Sequence, residues 1–150
     1  MDLLLWRHAD AAPARVGEDD DERALTAKGE RQARRMARWL AAALPADARI
    51  LVSPARRAQQ TARALGRPFD TCVALAAEAD AEDLLAAAGW PMAARSVLVV
   101  GHQPMLGEAA ALLLAGQRRP WAIKKGALWW LRGSAIDPVD LLAVRSPDKL

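Results

Sequence analysis

Cysteine occurs once in the 150 residues, histidine twice, phenylalanine once and tyrosine not at all. The lone Cys72 cannot close an internal disulfide, so nothing asks for an oxidising compartment. With two histidines and one cysteine, the Cys/His groupings of a structural zinc site are excluded as well. Long apolar runs are also missing: the longest, Ala109 to Ala115, is about a third of a membrane span. Asp2 stands where a secretory leader carries basic residues. A soluble, cytoplasmic chain with no membrane partner is expected. Charge of one sign does not dominate either, with 21 basic residues against 18 acidic ones and a net charge of +3. Because the basic residues are spread along the chain, no polyanion-binding stripe and no nucleic-acid partner are expected.

What is plentiful is alanine, 35 residues of the 150, which favours helix and blurs the apolar periodicity that marks element ends. Hydrophobic residues make up 53% and charged residues 26%, a globular balance, and the length suits a single domain over residues 1–150.

Leu3–Trp6 is a short apolar run ending in Arg7-His8, which predicts a strand buried on both faces. Residues 9–24, with the acidic run Glu18–Glu22, read as a solvated surface loop. Apolar residues at Ala33, Met36, Ala37, Leu40 and Leu44 predict a helix of about eighteen residues, capped by Thr26 and stopped by Pro45. Ile50–Val52 predicts a second strand, with Ser53 as N-cap and Pro54 at the first position of a helix running to Gly66. A weak strand over 71–75, a short helix over 82–88 closed by Gly89, and a buried strand over Val97–Val100 follow. Met105–Ala115 reads as an apolar helix ended by Gly116, and strands over 127–131 and 139–144 close the chain. Trp6 and Trp39 fall in core patterns, and Trp129 and Trp130 face opposite sides of one strand, at least one of them buried. The fold expected is an α/β/α sandwich of three layers around a mostly parallel sheet with right-handed crossovers.

Both histidines directly follow a buried strand, and the carboxyl ends of strands form the ligand crevice of open α/β sheets. Arg7, and Arg56 or Arg57 at the start of the following helix, bring guanidinium groups to the same end. Imidazole and guanidinium without a dominating carboxylate suit a tetrahedral dianion. Neighbouring arginines keep an imidazole neutral, and a neutral imidazole is a competent nucleophile toward phosphorus. No carboxylate cluster accompanies the histidines, so neither a metal nor a cofactor is expected.

Trp6-Arg7-His8-Ala9 resembles the Arg-His-Gly signature of the histidine phosphatase superfamily, the phosphoglycerate-mutase-like enzymes, with alanine in place of the commoner glycine. Leu25-Thr26-Ala27-Lys28-Gly29 with Gln32-Ala33, then Ser53-Pro54 through Arg57-Ala58 and Gln60-Thr61-Ala62, then Val100-Gly101-His102, resemble its further blocks in order. The resemblance implies a phosphoglycerate-mutase-like fold, His8 as nucleophile, and Arg7, Arg57 and His102 as the phosphate pocket. The absence of an insertion between Ala62 and Val97 is similar to the compact, capless SixA-type phosphohistidine phosphatases. The implied substrate is a histidine-phosphorylated partner protein, such as a phosphotransfer or carrier domain. The alternatives are a small phosphate ester and a phosphate-binding module without turnover. Asp10, Glu78 or water remain as sources of the leaving group's proton, with Glu78 slightly favoured. Trp121, near Lys124 and Lys125, either packs or helps dock a protein.

Overall fold

The computed structural model describes residues 1–150. Six strands form one sheet: β1 (Asp2–Arg7), β2 (Arg49–Val52), β3 (Asp70–Thr71), β4 (Val97–Gly101), β5 (Leu128–Arg132) and β6 (Asp140–Arg145), in the order β3-β2-β4-β1-β5-β6. The pairs β2·β3, β2·β4 and β1·β4 are parallel, whereas β5 runs antiparallel to β1 and β6 antiparallel to β5. The mostly parallel sheet expected from the sequence is therefore present, extended by an antiparallel pair at one edge.

Four helices cover both faces: α1 (Ala27–Ala43), α2 (Arg56–Arg63), α3 (Ala81–Ala88) and α4 (Met105–Ala115). Alternation along the strands sorts the core into two halves. Leu3, Leu5, Leu51, Val97 and Val99 pack with α3 and α4 through Leu84, Met105 and Leu106. On the other face Leu4, Trp6, Ile50, Val52, Leu98 and Val100 pack with α1 and α2 through Met36, Leu40, Ala58 and Ala62. Strand β1 lies between β4 and β5, so Leu3, Leu4, Leu5 and Trp6 are fully buried. Each of these leucines contributes about 2 kcal/mol by leaving water.

Helix α1 starts as expected: the Thr26 hydroxyl accepts from the Gly29 amide at 3.0 Å. Gly29 admits no side chain, because a Cβ there would stand 2.0 Å from the Asp10 carbonyl oxygen. Helices α3 and α4 close on Gly89 and Gly116.

Four expectations are corrected. Helix α2 begins at Arg56 behind Ala55 and ends at Arg63, short of Gly66, so Ser53 is not its cap. Ser53 instead ends β2 with its amide on the Val100 carbonyl and turns its hydroxyl elsewhere. The strand over 71–75 shrinks to Asp70–Thr71, because a 3-10 turn over Val73–Leu75 tucks Leu75 into the core and leaves Val73 outside. The acidic run is not wholly solvated: Asp20–Glu22 forms a 3-10 turn, and Asp20 is tied to two arginines. Trp129 and Trp130 do join opposite halves of the core, but both are half-buried because the β5·β6 margin carries no helix of its own.

Candidate active site

Three neighbouring parallel strands deliver the site. β2, β4 and β1 end in register, so Ser53, His102 and the pair Arg7-His8 emerge side by side. The His8 amide donates to the Gly101 carbonyl at 3.0 Å, and the two imidazole rings stand 5.2 Å apart, tilted by 54°. Arg57, on the first turn of α2, completes the group from the side. His8, His102, Ser53 and Arg57 are all buried.

Hydrogen bonds set the state of each ring. His8 Nδ1 lies 2.8 Å from the Ala9 carbonyl oxygen. A carbonyl oxygen only accepts, so Nδ1 carries the proton and Nε2 keeps its lone pair, free of any hydrogen bond. The Ser53 hydroxyl, already accepting from the Ala55 amide at 3.2 Å, lies 2.7 Å from His102 Nε2. When it donates its one proton there, the neutral His102 ring must carry its own hydrogen on Nδ1.

Both guanidinium groups are tethered in the same manner. Arg7 Nη1 donates to the Ile123 carbonyl at 2.9 Å. Arg57 donates through Nη1 to the Asp20 carbonyl at 2.8 Å and through Nη2 to the Asp20 carboxylate at 2.9 Å. In each arginine the Nε–H is buried and unbonded, and so is His102 Nδ1. Buried donors without acceptors cost about 1–3 kcal/mol apiece, so three of them on residues that flank His8 form a cradle suited to a multiply charged oxyanion.

Electrostatics favour the neutral rings. Burial, reinforced by His102, Arg57 and Arg7, pushes the His8 pKa down to about 3. Burial and Arg57 push His102 down to about 4, against the opposing pull of Asp20. At neutral pH His8 Nε2 is therefore available as a nucleophile.

The sequence-derived residues Arg7, His8, Arg57 and His102 are thus brought together. Arg56, the other arginine considered, is exposed and takes no part in the cradle. Glu78 is exposed between the 3-10 turn and α3 and makes no hydrogen bond or ion pair. Asp10 accepts from Thr26 at 2.7 Å and pairs with Lys125 at 3.1 Å, and these partners hold its carboxyl below the usual carboxylate range. Trp121 packs half-buried against Trp129, 6.1 Å between ring centroids. No three His, Cys, Asp or Glu side chains are grouped for a metal ion.

Sequence reasoning missed Ser53 and Asp20 as parts of the site. It also gave no task to the motif glutamines and threonine, which pin the 9–25 segment against the helices. Gln32 accepts from the Asp10 amide, Gln60 from the Leu25 amide and Thr61 from the Ala9 amide. The recurrence of Gln and Thr at fixed places in the blocks was the available signal.

Known proteins resemble the chain in sequence and in fold. The SixA phosphohistidine phosphatase of Escherichia coli (strain K12) is 32% identical over 132 residues, covering 80% of this chain and 78% of that protein. A structure of the protein histidine phosphatase SixA complexed with tungstate superposes with a TM-score of 0.80 at 28% identity, covering 99% of this chain and 98% of that one. The SixA-type protein of Agrobacterium tumefaciens reaches 0.83 at 26% identity over 97% and 98% of the two chains. The sequence model of the histidine phosphatase superfamily (branch 1) matches residues 3–83, which include Arg7, His8 and Arg57. On shared sequence and shared architecture alike, the chain belongs to the histidine phosphatase superfamily, branch 1.

Proposed function

We propose that the protein removes the phosphoryl group from phosphohistidine on a partner protein, through a phosphohistidine intermediate on His8. The observation that carries this reading is the cradle of three unbonded buried donors, Arg7 Nε, Arg57 Nε and His102 Nδ1, around a neutral His8 with a free Nε2. The phosphoryl oxygens take these donors, leaving the phosphorus in line for Nε2. The Nε2–P bond forms as the P–N bond to the substrate imidazole breaks, and the departing nitrogen takes the electron pair and a proton. Water then attacks phosphorus, the Nε2–P bond breaks, and orthophosphate leaves. Arg7, Arg57 and His102 stabilise charge on the equatorial oxygens in both steps.

The leaving group favours phosphohistidine over an alkyl ester. An imidazole leaves with a conjugate-acid pKa near ~6.5, whereas an alkoxide needs a strong proton donor. Asp10 is engaged by Thr26 and Lys125, which leaves Glu78 or water to supply what proton is needed. Phosphotransfer proteins of the cytoplasm are the matching partners. The experiment is loss of phosphate from a histidine-phosphorylated phosphotransfer protein by wild type and His8→Ala, beside small phosphate esters at equal concentration. Fast, His8-dependent release from the protein with slow esters is expected. A preference for esters moves the substrate to small molecules, and inactivity on all substrates defeats the enzymatic reading.

A further inference from the structure

Helix α1 carries four arginines, Arg31, Arg34, Arg35 and Arg38, on one wall of a surface groove of about 600 Å³. All four are exposed and none is in an ion pair. The only bond any of them makes is a long one, 3.5 Å from Arg35 Nη2 to an oxygen of the last residue, Leu150. No acidic side chain lines the groove. Its apolar part is supplied by Ala37 and Ala41 of α1 and by Ala64 and Leu65 just past α2.

We propose that this groove docks an acidic helical segment of the partner protein whose phosphohistidine enters the pocket. The proposal rests on the protein-substrate reading above and adds a second contact surface to it. Charge complementarity selects an anion, since four guanidinium groups stand together on a groove that no acidic side chain lines. The spacing selects its form. Arg31, Arg35 and Arg38 follow the i, i+4, i+7 rule over about 10 Å of helix, the repeat with which a facing helix presents its own side chains. The trough of methyl groups and Leu65 between the helices accepts the apolar flank of such a helix. A single-stranded nucleic acid is less well served, because no aromatic side chain lines the groove to stack a base. Position supports a substrate contact: Arg57 opens α2 in the pocket and Ala64 follows its last residue in the groove, about 10 Å further along the helix. One folded partner can reach both.

The test uses the full chain and a fluorescein-labelled, alanine-based helical peptide with glutamates at i, i+4, i+7 and i+11, followed by fluorescence anisotropy. Saturable binding is expected, weakened by added salt, unchanged when vanadate fills the pocket, and at least tenfold weaker in R34E/R38E. R34Q/R38Q, checked by circular dichroism, provides the same comparison with a milder change. On a histidine-phosphorylated phosphotransfer protein, R34E/R38E should raise KM severalfold, leaving kcat and the hydrolysis of p-nitrophenyl phosphate unchanged. The proposal is overturned by any of four results: no saturation, equal binding by the folded variants, tighter binding of a single-stranded oligonucleotide or anionic vesicle, or an unaltered KM. Peptide binding is read without turnover, so a chain that proves to hydrolyse only esters refutes the substrate reading and leaves the binding result standing by itself.

Discussion

Lowering the pH from 7 to 5 should destabilise the fold by an amount set almost entirely by two residues. His8 and His102 are the chain's only histidines, and their pKa values in the folded protein, about 3 and about 4, lie below the ordinary 6.5. A depressed value means the unfolded chain takes up the proton first. The associated stability is present above pH ~6.5 and drains away as pH falls toward the folded-state values. Between pH 7 and 5 the unfolded histidine gains about 2 kcal/mol from protonation while the buried ring stays neutral, giving about 4 kcal/mol for the pair. Asp2, Asp10 and Asp20 are held below the ordinary carboxyl value of 3.8, so what they contribute is lost only at lower pH, outside this window. A loss of 4 kcal/mol is a large share of a domain's typical stability and moves a urea midpoint by about 2 M. Urea titrations at pH 7, 6 and 5, followed by tryptophan fluorescence, measure it. A His8→Asn/His102→Asn variant should be nearly flat over the same range. A flat wild type, or a double variant that falls as steeply, would refute the claim that both rings are buried and neutral.

Ser53→Ala strips the buried His102 Nε2 of its partner and should cost about 1–3 kcal/mol of stability in urea titration. It should also slow phosphohistidine turnover about tenfold as the ring loses its fixed tautomer; unchanged turnover speaks against the tautomer argument. Gly29→Ala forces a methyl against the Asp10 carbonyl and should lower stability by about 3 kcal/mol in the same titration. Glu78→Gln should slow an alkyl phosphate ester but leave phosphohistidine turnover within about twofold; equal slowing of both substrates contradicts the leaving-group argument.

The strands that carry the site were legible because they are buried on both faces: Leu3–Trp6, Ile50–Val52 and Val97–Val100 each read as an unbroken apolar run. The four pocket residues were legible because they sit at the ends of those runs or inside ordered motif blocks. Ser53 was misread because Ser-Pro is a strong helix-start pattern, and local pattern carries no word of an imidazole 49 residues away. The Asp20 contact was hidden for the same reason: a run of five acids looks solvated until the fold brings Arg57, 37 residues on, to its edge. The groove between α1 and α2 was invisible because it is made by two helices, neither of which shows it alone.

Strand β1 is sealed between two neighbours and buried to its last apolar residue, and its chain runs without interruption into His8, whose amide is bonded to β4. The proposed nucleophile is therefore fastened to the part of the molecule that opens last. In native-state hydrogen exchange the amides of Leu4, Leu5 and His8 belong with those released only when the whole domain unfolds, whereas residues 13–22, exposed for most of their length, exchange by local opening. Adaptation to different substrates then falls to the margins of the cleft, where the chain is less tightly packed than at β1.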